Sequence, residues 1–151
     1  MTKILLAIEN SDFSKAAVQE VCGQRRVDEA EVHVLNVIDP LIYLPLYDGV
    51  TKDMDRIDAL REEYMKQGKD LVAEAEKALR AAGCKVVATV EEGEPRTAIV
   101  DYAAKIKADL IVMGSHGRRG LPRIFLGSVS EYVARHAPCS VEIVRPHPRA
   151  A

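Results

Sequence analysis

The sequence carries no excess of either charge: 21 Lys and Arg stand against 23 Asp and Glu in 151 residues, a formal net charge of -2. That balance removes the electrostatic case for nucleic acid or an anionic membrane surface as partner. Long apolar runs are missing too. Ile4 to Ile8 is too short for the core of a signal peptide, and no stretch is long enough to span a bilayer, which points to the cytoplasm. Cysteine is sparse and odd in number: Cys22, Cys84 and Cys139 suit reduced thiols better than a disulfide framework. Neither Cys-x-x-Cys nor His-x-x-x-His occurs, so the cysteines give no basis for a metal site. The Walker string Gly-x-x-x-x-Gly-Lys-Ser/Thr and the dinucleotide string Gly-x-Gly-x-x-Gly are both absent.

What is present is a strand-helix alternation. At this length, with 48% hydrophobic residues, the whole chain, 1–151, reads as a single domain with its own core. Ile4 to Ile8 reads as a strand buried on both faces and Val32 to Ile38 as a second, halted by Asp39-Pro40. Lys85 to Val90, Asp109 to Met113 and Val141 to Val144 read as three more. Between them, Ala17, Val18, Val21 and Cys22 recur at helical spacing behind the caps Ser11 or Asp12. A long helix is expected from about Lys52 to Ala82, ended by Gly83, another opens at Gly93-Glu94-Pro95, and a last runs from about Ser128 to Arg135. This pattern predicts an α/β fold: a five-stranded parallel sheet with helices on both faces, Rossmann-like, joined by right-handed crossovers. In the order 3-2-1-4-5 the winding reverses between strands 1 and 4, where such sheets bind ligands. The apolar connection Leu41 to Tyr47 either folds over a ligand or dimer contact or caps the chain's own core.

Strand 4 leads into Gly114-Ser115-His116-Gly117, then Arg118, Arg119 and Arg123, then Gly127-Ser128-Val129-Ser130. Glycines at 114 and 117 let the backbone turn and approach a ligand closely, and Gly127-Ser128 opens the next helix. Amides at a helix start, combined with a concave loop, favour a polyphosphate. Ser128-x-x-Glu131 also has the form of a capping box. Such a cap and a phosphate site are compatible when neighbouring amides stay free.

Gly-x-x-Gly, nine residues, then Gly-Ser resembles the nucleotide motif of the ATP-binding branch of the universal stress protein family. Ile4 to Ser11, Val34 to Pro40 and His136-Ala137-Pro138-Cys139 extend the resemblance over nearly the whole chain. It implies that Ala7, Ile8 and Glu9 line the adenine and ribose end, that the Val37 backbone reads the adenine edge, and that Met113 packs on the base. It further implies that Gly114, His116, Gly117, Gly127, Ser128, Val129 and Ser130 hold ribose and phosphates, largely through amides, with Mg2+ accompanying ATP. Glu9 stands where the family usually has aspartate, which pushes the carboxylate further into the pocket.

No residue presents itself as the group that orients a nucleophile for phosphoryl transfer, so efficient ATPase or kinase activity is not expected. Glu9-Asn10-Ser11-Asp12 also differs from the Ser-Gly-Gly-x-Asp-Ser of adenylylating PP-loop synthetases. His116, lone between glycines, is expected to act mainly through its backbone, and His33, His136 and His147 show no partner pattern. Cys139 reads as a small buried apolar side chain. Three functions follow: a nucleotide-dependent signalling or interaction module with unidentified client proteins, a slow ATP hydrolase serving as a timer, or an interaction platform independent of nucleotide. By resemblance, the last strand pairs with a second copy in a homodimer.

Overall fold

The first strand sets the layout, because its side chains alternate between two buried faces. Ile4, Leu6 and Ile8 enter one core while Leu5 and Ala7 enter the other. The computed structural model describes residues 1–24, 29–46, 54–116 and 126–146. Strands β1 (Thr2–Ala7), β2 (Ala30–Ile38), β3 (Lys85–Glu92), β4 (Leu110–Gly114) and β5 (Ser140–Val144) form one parallel sheet in the order β3-β2-β1-β4-β5. Both Leu5 and Leu6 are fully buried. Each such side chain contributes about 1.5–3 kcal/mol through transfer from water.

Helices α1 (Asp12–Gly23) and α2 (Met54–Ala81) cover one face, and α3 (Pro95–Ile106) and α4 (Ser128–His136) cover the other. Ser11 caps α1, its Oγ accepting from the Ser14 amide at 3.2 Å. On α2 the inward stripe is Ile57, Gly68, Val72, Ala75 and Leu79. That helix stops before Gly83, whose φ of 100° lets the Gly83 and Cys84 amides close on the carbonyls of Arg80 and Leu79. Glu94 caps α3 through the Thr97 amide at 2.9 Å, with Pro95 in the first turn where no amide proton is needed.

Two local expectations change. Pro40–Leu46 is a 3-10 helix in which Tyr43 is 1% exposed, meeting Tyr64 edge-on at 6.1 Å, while Leu41 and Leu44 face outward. Residues 47–53, including Tyr47 and Lys52, lie outside the described residues. The Ser-x-x-Glu capping box does not form: Gly127 is the N-cap of α4, Ser128 is already helical, and Glu131 pairs with Arg135 at 2.9 Å. The sequence pattern fails here because Gly127 takes the extended conformation that a capping serine would need. No helix among the described residues is long and apolar enough to cross a membrane.

Candidate functional site

Sheet order and chain ends together create the cleft. β1 and β4 lie side by side, yet their following segments depart to opposite faces, α1 to one and α4 to the other. The gap between them is a cleft of about 340 Å³. Its walls include Ala7, Ile8, Glu9, Val37, Met113, Gly114, His116, Gly127, Ser128, Val129 and Ser130, joined by Ser14, Leu35, Pro95 and Ile99. Eleven of the twelve residues singled out from the sequence therefore share one cavity; Gly117, with Arg118, Arg119 and Arg123, lies outside the described residues. Periodicity gave no reason to include Ile99 and Pro95, which reach the cleft because α3 packs across β1 and β2.

One end of the cleft is apolar, with Val37, Ile99 and Met113 in its wall. Backbone geometry adds an edge to that slot. Leu35 O accepts from Ile8 N at 2.9 Å on the β1 side, and Ile38 O accepts from Gly93 N at 2.9 Å on the β3 side. Alternation along the strand turns the Val37 amide and carbonyl toward β1, at a level where β1 has already left the sheet. A flat base with a donor and an acceptor on one edge matches that pair. Glu9 supplies the one carboxylate among the described residues lining the cleft. The amide of Glu9 is held by Ser14 Oγ at 2.9 Å.

At the other end, the glycine loop is clasped at its base. Ser115 O accepts from the Gly127 amide at 2.8 Å and from Ser130 Oγ at 2.9 Å, and Ser130 Oγ also lies 3.0 Å from Gly127 O. Ser130 is 2% exposed, and its hydroxyl fixes the entry of α4. The clasp aims the first turn of α4 at the strand ends. No side chain among the described residues caps that turn, which leaves the Ser128 and Val129 amides and the positive end of the helix dipole facing the cleft.

Gly114 and Gly127 are glycines for a reason the sequence did not reveal. A Cβ on Gly114 would meet Phe13 Cβ at 2.7 Å and the Phe13 carbonyl carbon at 2.9 Å, so this glycine lets α1 pack on β4. On Gly127 it would stand 3.2 Å from Ser115 O and 3.3 Å from His116 Cα, inside the clasp. His116 also departs from a purely backbone role. Its ring is 6% exposed, tilts against Phe13 at 5.1 Å between centroids, and holds Ser115 Oγ at 3.0 Å through Nδ1. Its Nε2 is buried with no partner among the described residues. Such an atom costs about 1–3 kcal/mol until something satisfies it.

A second polar cluster went unseen in the sequence. His33 joins Glu31 through Nε2 at 2.6 Å and the Tyr102 hydroxyl through Nδ1 at 3.3 Å, with Thr89 Oγ1 3.3 Å from the same hydroxyl. The hydrogen bond from His33 is the main cause holding the Glu31 carboxyl below its usual range. The signal available was Glu31 and His33 two apart on one strand, hence on one face. This cluster ties α3 to β2 and β3 and does not line the cleft. Cys139 is half-buried beside the α3–α4 core, where burial raises its thiol pKa. No group of three or more His, Cys, Asp and Glu among the described residues can hold a metal ion.

Residues 1–145 match the universal stress protein family, and the chain belongs to it. A universal stress protein of Methanocaldococcus jannaschii, MJ0531, is 35% identical over 145 residues, covering 95% of this chain and 81% of that protein. Among solved structures, the hypothetical protein MJ0577 superimposes with a TM-score of 0.85 at 28% identity, covering 97% of this chain and 96% of that one. The universal stress protein from Archaeoglobus fulgidus in complex with dAMP shares the fold, with a TM-score of 0.63 at 24% identity over 96% of this chain and 98% of that one.

Proposed function

We propose that the cleft between β1 and β4 binds an adenine nucleotide, ATP with Mg2+, and that the protein serves stress responses as a nucleotide-dependent signalling or interaction module. The carrying observation is the first turn of α4, capped by no side chain among the described residues, opening on the same cleft as an apolar slot edged by the Val37 backbone. The slot takes the base, Glu9 the ribose hydroxyls, and the Ser128 and Val129 amides the phosphates. His116, buried beside the glycine clasp with Nε2 unpartnered among the described residues, supports a polar ligand at that end. The fold's occurrence with dAMP in the Archaeoglobus fulgidus protein supports the same reading. β5 lies at the sheet edge, and we propose that it pairs two copies in a homodimer.

The test is to release small molecules from freshly purified protein for mass spectrometry, then to titrate nucleotide-free protein with ATP-magnesium by thermal shift. A ligand present at about 100 times its Kd adds about 2.7 kcal/mol of stability. An adenine nucleotide in the extract, or a saturable rise in Tm, is expected. No nucleotide and no rise would overturn the proposal. Solution scattering tests the pairing, with a monomer mass counting against it.

A further inference from the structure

Among the described residues, one buried side-chain nitrogen or oxygen has no hydrogen-bond partner: His116 Nε2. A larger cavity of about 440 Å³ beside α2 has no such atom in its described lining, whereas His116 lines the cleft between β1 and β4. The ring is held from two sides. One face tilts against Phe13, with 52° between the ring planes, and Nδ1 lies 3.0 Å from the hydroxyl of Ser115, itself 1% exposed. Its place beside the helix start is equally fixed. A Cβ on Gly127 would stand 3.3 Å from His116 Cα, and Gly127 is the residue after which the Ser128 and Val129 amides open α4.

Counting protons assigns the tautomer. If the Ser115 hydroxyl donates to Nδ1, the ring proton sits on Nε2 and is the only polar hydrogen of the two side chains left without an acceptor among the described residues. If Nδ1 carries the proton, Ser115 Oγ must accept it. The hydroxyl hydrogen then has no acceptor among the described residues, and Nε2 is left as a bare lone pair as well. The first arrangement leaves one group unmet and the second two, and each unmet buried group is a cost. Nε2 is therefore an N–H donor, and what completes it is an acceptor. A protonated nitrogen does not bind a metal ion, and a cation or an apolar group offers it nothing. An anionic oxygen at the start of α4 satisfies it on the same ligand that satisfies the Ser128 and Val129 amides.

We propose that the His116 side chain reads phosphate: Nε2–H donates to a phosphate oxygen of the bound nucleotide and adds to the preference for nucleotide over nucleoside. This inference rests on the nucleotide reading of the cleft, and supplies a side-chain donor where the sequence pointed to the His116 backbone.

The experiment combines calorimetric titration of nucleotide-free full-length protein with ATP-magnesium and nitrogen NMR of the His116 ring in mildly alkaline buffer. His116→Asn keeps an amide at the position of Nδ1, within reach of Ser115, and leaves nothing at the position of Nε2. It should weaken ATP about tenfold or more, the loss of one hydrogen bond to a charged group. His116→Gln carries an amide N–H close to the position of Nε2 and should bind ATP at least about threefold more tightly than His116→Asn. In the unsubstituted protein Nε2 should resonate as a protonated nitrogen before ligand is added, and should shift on saturation with ATP-magnesium. A bare Nε2, no shift with ATP, a shift as large with adenosine, or equal ATP affinity of His116→Asn with either the unsubstituted protein or His116→Gln would overturn the proposal and leave nucleotide binding standing. No ATP binding by the unsubstituted protein would overturn the nucleotide reading, and this inference with it. Should either variant fold poorly, the ring signal of the unsubstituted protein decides.

Discussion

Replacing Gly114 by alanine separates two reasons for a glycine at the end of β4. The added methyl would lie 2.7 Å from Phe13 Cβ, 2.9 Å from its carbonyl carbon and 3.0 Å from its oxygen. Two of those three atoms are backbone in the first turn of α1, so no change of rotamer relieves them. Carbon contacts settle at about 3.5–4.0 Å, and α1 must therefore retreat from β4 by roughly 1 Å. Overpacking of this kind costs about 1–3 kcal/mol, and exchanging glycine for alanine in a strand returns about 0.5–1 kcal/mol. A net loss of roughly 1–2 kcal/mol, at about 2–4 °C per kcal/mol, lowers Tm by about 2–8 °C. Calorimetric melting of nucleotide-free protein checks this directly. An unchanged Tm combined with lost nucleotide affinity would refute the packing argument and return Gly114 to the ligand.

Ser130→Ala removes the hydroxyl shared by Ser115 O and Gly127 O; chemical denaturation should show a loss of about 1 kcal/mol, since Ser115 O keeps the Gly127 amide. Leu5→Ala, at a fully buried position, should cost about 2–5 kcal/mol by the same assay. The Glu31 carboxyl, held low first by its hydrogen bond from His33, stabilises the fold when ionised. Its contribution is complete above the ordinary carboxyl value of 4.5 and is lost as pH falls through the lower folded value. Glu31→Gln should therefore melt below the unsubstituted protein near neutral pH, with the gap closing in acid.

The strand order was legible because each strand is a short apolar run ended by turn residues, and the alternation of strands with helices leaves few parallel topologies. The cleft was legible because chemistry at a parallel sheet gathers where the winding reverses, which located Glu9 and the Gly114 loop before any side chain was placed. What stayed hidden depended on contacts distant in sequence. That Gly114 serves Phe13, that the Ser130 hydroxyl belongs to Ser115, and that Pro95 and Ile99 reach the cleft follow only from how α1, α3 and α4 dock. Strand spacing put Glu31 and His33 on one face, but their link to Tyr102 needed α3 in place. The cavity beside α2 draws its lining from α2 and from the turns after β1 and β2, segments whose proximity no local pattern announces.

Ser128→Pro tests the central claim most directly. Position 128 is the first residue of α4, where proline is favoured, and Gly127 before it already has φ -64° and ψ 157°, the extended conformation that proline requires of its neighbour. The substitution deletes one amide hydrogen facing the cleft and leaves the helix and the Ser115 clasp standing. A hydrogen bond to a charged group is worth about 1.5–3 kcal/mol, or roughly 10- to 150-fold in affinity. Calorimetric titration with ATP-magnesium should show that weakening with the nucleotide-free Tm unchanged. Equal affinity for ATP in the proline variant and the unsubstituted protein would contradict phosphate binding at the start of α4.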